Sequence, residues 1–186
     1  MSKPKVLIIG KLPPPYYGPA IATQIILNSK LNQEFQLIHL NNTVNKSVAD
    51  FGSMSLEKLW KHIKIYFNFL SLLIRHRPAL CLIPISQSIG GFFKDSVFIL
   101  LAAAFGSKVI LQLRGSNFRN MLDGAKPFIR NYIRFCFDQT KAMIVLGEKL
   151  RPLFDGYYKV EQIFVVPNGC DLNIPSIPNQ TDTVKL

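Results

Sequence analysis

The stretch Val6-Leu7-Ile8-Ile9-Gly10-Lys11-Leu12-Pro13-Pro14-Pro15-Tyr16-Tyr17-Gly18-Pro19-Ala20 decides how this chain is read. It begins with unbroken apolar positions closed by a glycine, without the alternation of a half-solvated strand, and so predicts a strand covered on both faces, as in a parallel sheet. A proline-stiffened loop follows, and one glycine then opens a segment in which Ile21, Ile25, Ile26 and Leu27 carry helical spacing. Strand, loop and helix in that order form the first half of a βαβ unit.

The pattern recurs to the end of the chain. Strands are predicted over 6–10, 35–40, 79–84, 108–113, 142–146 and 163–166, with helical spacing between several of them: Leu56, Leu59, Trp60, Ile63, Phe67 and Leu70, then Phe92, Phe93, Val97, Leu100 and Leu101. This alternation predicts right-handed crossovers and a Rossmann-like, doubly wound parallel sheet of the α/β class. A length of 186 residues fits one such domain, expected over 1–172. Residues 173–186 change character, with Pro175, Pro178, Asn179, Gln180 and Thr181 reading as a linker and Thr183-Val184-Lys185-Leu186 as the first residues of a further strand.

Composition narrows the partners. Hydrophobic residues are 48% of the chain and charged residues 18%, enough apolar surface to form a core. Lys and Arg number 22 against 11 Asp and Glu, a net charge of +11 that suits phosphorylated small molecules, anionic lipid or nucleic acid. Nucleic acid rests on charge alone, since the chain has no helix-turn-helix, zinc-finger spacing or RNP motif, and is not an expected partner. Cys81, Cys136 and Cys170 are too widely spaced for a zinc or redox pair and predict reduced thiols in a cytoplasmic protein. The first residues run into a strand rather than a leader, and the longest apolar run, 97–105, is about half the roughly 18 residues that suggest a membrane span.

Doubly wound sheets bind ligands beyond the carboxyl ends of their strands, so the loops there are the ones to inspect. In the first, Tyr17, Gly18 and Pro19 precede a helix, where free amides and partial positive charge suit a phosphate; a plain stiffened turn is the competing reading. After the third strand come Ser86 and Gln87. After the fourth, Arg114-Gly115-Ser116-Asn117-Phe118 offers a cation, a glycine and two short hydrogen-bonding side chains, against which stands an N-cap beside a surface arginine. The sixth strand ends in Val166-Pro167-Asn168-Gly169-Cys170-Asp171, which locally reads as a turn leaving the sheet.

These segments, in this order and spacing, resemble the N-terminal domain of the large retaining family-4 glycosyltransferases of the GT-B fold, over nearly the whole chain. Val166-Pro167-Asn168-Gly169-Cys170-Asp171 is the most specific piece. The resemblance implies transfer of a sugar from a nucleotide-sugar to a lipid-linked or polysaccharide acceptor, with no bound metal or other cofactor. Tyr17, Gly18 and Pro19 then face the donor diphosphate; Ser86, Gln87, Arg114, Gly115, Ser116 and Asn117 line the acceptor side; and Asn168, Gly169 and Asp171 form the domain hinge. Two residues depart from the pattern: Tyr17 stands where many members have the first of two glycines, and Arg114 where many have histidine. Arginine does not act as a general base, so its expected role is positional: to hold an anion or hydroxyl. The donor-binding half, with its basic residue and paired glutamates, is not in this sequence, and the isolated chain is expected to be inactive until that half is supplied in cis or in trans.

A basic, aromatic-rich helix runs from Lys58 to Arg77, and Lys126, Arg130 and Arg134 recur at helical spacing further on. Both suit the inner face of an anionic membrane, against the plainer reading of solvated helix faces. A non-catalytic Rossmann-like nucleotide-binding module is the alternative function.

Overall fold

The computed structural model describes residues 3–43 and 56–168. In chain order the elements are β1 (Lys5–Gly10), α1 (Gly18–Asn28), α2 (Leu31–Glu34), β2 (Gln36–Asn41), α3 (Leu56–His76), β3 (Leu80–Ile85), α4 (Ile89–Ala104), β4 (Lys108–Leu113), α5 (Phe118–Asp123), α6 (Pro127–Asp138), β5 (Ala142–Val145) and β6 (Ile163–Val165). Short 3₁₀ segments, Glu148–Phe154 and Val160–Gln162, join the last two strands.

All six strands are parallel, in the order β2-β1-β3-β4-β5-β6. The single-domain, Rossmann-like α/β fold expected from the alternation is therefore the observed one, and the strand predictions fall within a residue or two of the observed ends. From β1 the chain steps one way to β2, then reverses to β3 and continues to β6. Right-handed crossovers thus put α1 on one face of the sheet and α3, α4 and α6 on the other.

The two faces are unequal. Alternate residues Leu7, Ile9, Cys81, Ile83, Ile85, Val109, Leu111, Leu113, Met143 and Val145 meet Phe69, Leu73, Phe92, Phe98, Phe118, Ile133 and Phe137 in one continuous core. Edge-to-face pairs such as Phe69–Phe98, with centroids 5.0 Å apart, lock α3 to α4. On the α1 face the intervening residues Leu82, Pro84, Ile110 and Ile144 are only half-buried.

Helix ends are punctuated by local chemistry. Arg77, at φ 45°, donates its amide to the Leu73 carbonyl, and Pro78 then prevents continuation of α3. Gly106, at φ 78°, closes α4 with its amide on the Ala103 carbonyl at 2.9 Å, a left-handed position suited to glycine.

Candidate functional site

The reversal in strand order lies between β1 and β3, so the crevice expected of a doubly wound sheet opens above their carboxyl ends. Two joints are built there, one around α1 and one around α4.

The α1 joint begins at Gly10. A Cβ on that residue would lie 2.6 Å from Thr23 Oγ1 and 2.7 Å from its Cγ2, so only glycine lets α1 seat so low over β1. Thr23 is fully buried; its hydroxyl donates to the Pro19 carbonyl at 3.0 Å and accepts from Arg114 Nη1 at 3.1 Å. Arg114 Nη1 also donates to the Pro19 carbonyl, while its Nε and Nη2 donate to Gln112 Oε1 at 3.1 and 2.9 Å. A guanidinium has five N–H donors, and these bonds engage four of them. Arg114 therefore binds the end of β4 to the first turn of α1, leaving one Nη2 hydrogen for any ligand. Most of the donors with which Arg114 was expected to hold an anion or hydroxyl are thus engaged by the chain's own acceptors.

Tyr17 sits half-buried at the N-cap position of α1, with Lys11 Nζ 5.9 Å from its ring centroid. Burial raises its phenol above the usual range, and the Arg114 charge opposes that rise. Gly18 has open space where a Cβ would stand. Pro19 has no N–H, and the Ala20 and Ile21 amides both donate to the Tyr17 carbonyl, at 2.9 and 3.1 Å. The N-terminus of α1 is bare but offers few amides.

The α4 joint is better supplied. Ser88 caps the helix, its Oγ accepting from the Gly91 amide at 3.3 Å and its carbonyl accepting from the Phe92 amide at 2.8 Å. The amides of Ile89 and Gly90 have no acceptor among the described residues, and a Cβ on Gly90 would meet nothing within 4 Å. Gly91 is required for a different reason: a Cβ there would fall 2.5 Å from Ser86 Cβ. One turn further, Asp95 Oδ2 accepts from the Ser86 amide at 2.7 Å. Burial pushes the Asp95 carboxyl up to about 6, against the opposing pull of its Ser86 bonds and of Lys94 and Lys11. Burial lowers the Lys11 ammonium in turn; Lys94 lowers it further and Asp95 offsets part of this.

The loop held by Asp95 reaches across to β4. Gln87 Oε1 accepts from the Asn117 amide, and the Gln87 amide group lies over Gly115, where a Cβ would stand 2.1 Å from Nε2. Gly115 is not in the left-handed region; its value is the room it gives Gln87. Ser116 is exposed, and Asn117 starts α5 without a side-chain cap, its Oδ1 accepting instead from Asn120 Nδ2 at 2.8 Å.

Of the residues singled out from sequence, Ser86, Gln87, Gly115 and Asn117 thus come together, and Tyr17, Gly18, Pro19 and Arg114 form the neighbouring joint. Asn168 follows β6 at the sheet edge, apart from both, and Gly169, Asp171 and the 172/173 boundary lie outside the described residues. Lys11, Ser88, Gly90 and Asp95 were not anticipated. The available signal was Ser88-Ile89-Gly90-Gly91, a capping residue and two glycines opening a helix after a strand. Arg130 and Arg134 are exposed and donate to backbone carbonyls, of Ala125 and Gly156 respectively, at 2.9 and 3.0 Å. Among the described residues no His, Cys, Asp or Glu group could hold a metal ion. Two concavities, of about 430 and 270 Å³, lie at the opposite, amino edge and touch neither joint.

No family model matches the chain, and no curated protein matches it by sequence. Solved structures do match. The chain is similar to UDP-N-acetylglucosamine 2-epimerase at 13% identity and TM-score 0.54, over 90% of this chain and 49% of that one. MurG of Acinetobacter baumannii also matches, at 9% identity and TM-score 0.41, over 90% and 47%. The chain spans about half the length of these structures, and the likeness to the epimerase defines the class: a Rossmann-like domain of the kind that forms one half of a GT-B protein.

Proposed function

We propose that this domain is the acceptor-side half of a retaining, family-4-type glycosyltransferase that moves a sugar from a nucleotide-sugar to a lipid-linked or polysaccharide acceptor at the cytoplasmic face of the membrane. The observation that carries the reading is the convergence of the loops after β1, β3 and β4 on the crevice between β1 and β3, where Lys11, the open amides of Ile89 and Gly90, and the bare end of α1 supply positive potential without a metal. The epimerase that shares the fold is named for a UDP-sugar, which agrees with a nucleotide-sugar as the ligand class. Asn168, Gly169 and Asp171 serve as the hinge to a donor-binding domain, in cis or in trans. In this enzyme Arg114 acts through α1, fixing the turn that carries Tyr17, Gly18 and Pro19, while Ser86, Gln87, Ser116 and Asn117 face the acceptor.

Transfer of labelled sugar from a panel of nucleotide-sugars to polyprenyl-linked acceptors tests this, with the chain alone and joined to a donor-binding domain. Turnover is expected only from the joined form. Turnover by the chain alone would overturn the half-enzyme assignment, and a joined enzyme with no transfer from any donor would overturn the activity itself.

A further inference from the structure

The outer surface of α3 carries a ridge that the core does not use. Trp60, Phe67 and Ile74 are 64%, 68% and 58% exposed, although each is large and apolar. They recur every seven residues, so they stand on one stripe of the helix, about 21 Å from first to last. Lys64 and Ser71 fill the stripe between them, Arg75 flanks it, and all three are exposed. From Trp60 to His76 the sequence contains no Asp or Glu. The opposite side of the helix, through Phe69 and Leu73, is fully buried, so folding of the domain does not cover the ridge.

Its spacing indicates what does. A partner helix needs two apolar positions per seven, at alternating intervals of three and four, to form a seam of knobs and holes. This stripe has one, and the positions between are a lysine and a serine, Lys64 and Ser71. A planar boundary with apolar depth and anionic headgroups suits it better: large side chains enter one by one, and the cations stay at headgroup level on their flexible stems. No helix among the described residues is long and apolar enough to cross a membrane.

We infer that the Trp60–Phe67–Ile74 ridge of α3 docks this domain flat on an anionic lipid bilayer. α3 runs from the carboxyl edge of the sheet to the amino edge, and the Trp60 end is the one near the crevice: the Lys94 and Lys11 charges reach the adjacent His62, lowering its pKa after burial has done so, and Tyr66 donates to the Lys94 carbonyl at 3.1 Å. Docking along the ridge therefore sets the crevice beside the headgroups. The inference is independent of the proposed activity, since it rests on the outer face of one helix.

Trp60 is the sole tryptophan of the chain and reports on the contact directly. With vesicles of phosphatidylcholine containing about one-third phosphatidylglycerol, its emission should shift to the blue and be quenched by brominated acyl chains, and added salt should weaken both effects. Pure phosphatidylcholine should produce little change. Removing Lys64 and Arg75 together (K64S with R75S) should lower partitioning by about fivefold per cation, roughly 25-fold in all. F67S with I74S should abolish the quenching while leaving the circular dichroism unchanged, as both side chains are exposed. Binding without quenching, equal binding to neutral vesicles, or binding retained by F67S/I74S overturns the inference. So does the same blue shift on self-association or on adding duplex DNA, without lipid.

Discussion

The two joints at the carboxyl edge solve one problem, holding a helix end over a strand end, with opposite chemistry. Around α1 the central group is a guanidinium whose hydrogen bonds go to neutral acceptors: Gln112, Thr23 and the Pro19 carbonyl. Around α4 it is a half-buried carboxyl that accepts from the Ser86 amide and lies between two lysines. Arginine does not titrate in the working range, whereas a carboxyl near 6 does. The first joint should therefore be indifferent to pH and sensitive to shape, and the second should respond to pH.

The largest effect is expected from Arg114→Ala, which leaves the buried Gln112 and Thr23 side chains short of a partner. Urea unfolding should show a loss of about 3–4 kcal/mol. Arg114→Lys keeps the charge without the fork and should recover less than half of that loss. A loss under about 1 kcal/mol for Arg114→Ala would mean that the α1 joint does not depend on this residue. Gly10→Ala comes next. The new methyl must displace the fully buried Thr23, at a cost of about 2 kcal/mol, seen as a fall of about 4–8 °C in Tm.

The α4 joint is tested by pH. Because the Asp95 pKa is raised in the folded chain, the folded state binds more protons than the unfolded one between about pH 4 and 6, so this group's contribution to stability declines as pH rises through that window and is level above it. Asp95→Asn should remove that decline. The difference between wild type and variant should change by about 2 kcal/mol across the window, and parallel stability curves would show that the carboxyl is not perturbed. The smallest effect concerns the bridge to β4. Gly115→Ala should cost about 1 kcal/mol by displacing Gln87 from the Asn117 amide, and almost nothing in a Gln87→Ala background. Full additivity of the two substitutions would deny the contact.

The fold was legible because the strands are predominantly apolar segments bounded by polar or glycine-containing loops, and the alternation with helices leaves few topologies to choose from. The site was half legible. Strand ends locate the loops, so Gln87, Gly115 and Asn117 could be named before their contacts were known. Sequence does not say which way a side chain turns once it leaves a strand. Arg114 reads as a ligand-binding cation, yet the alternation that sends Leu113 into the core turns Gln112 and Arg114 to the α1 face, where Thr23 and Pro19 receive the guanidinium. Asp95 was missed for a related reason. In the sequence it is one acid on a helix beside a lysine, and nothing in the spacing marks Ser86, whose backbone amide and hydroxyl both serve it, as its partner.

The strand order also has a consequence for how the protein is made. β1 is central in the sheet, paired on one side with β2 and on the other with β3, yet it is the first of these six strands to be synthesised, and Leu80, Cys81 and Leu82 are its partners on the second side. A ribosome adding about 5–20 residues per second needs on the order of 4–14 s to pass from β1 to β3. Throughout that interval Val6, Leu7 and Ile8 present an unpaired apolar edge, able to pair with the same strand of another nascent chain. The stretch that makes the fold readable is thus also one that is open to mispairing during translation.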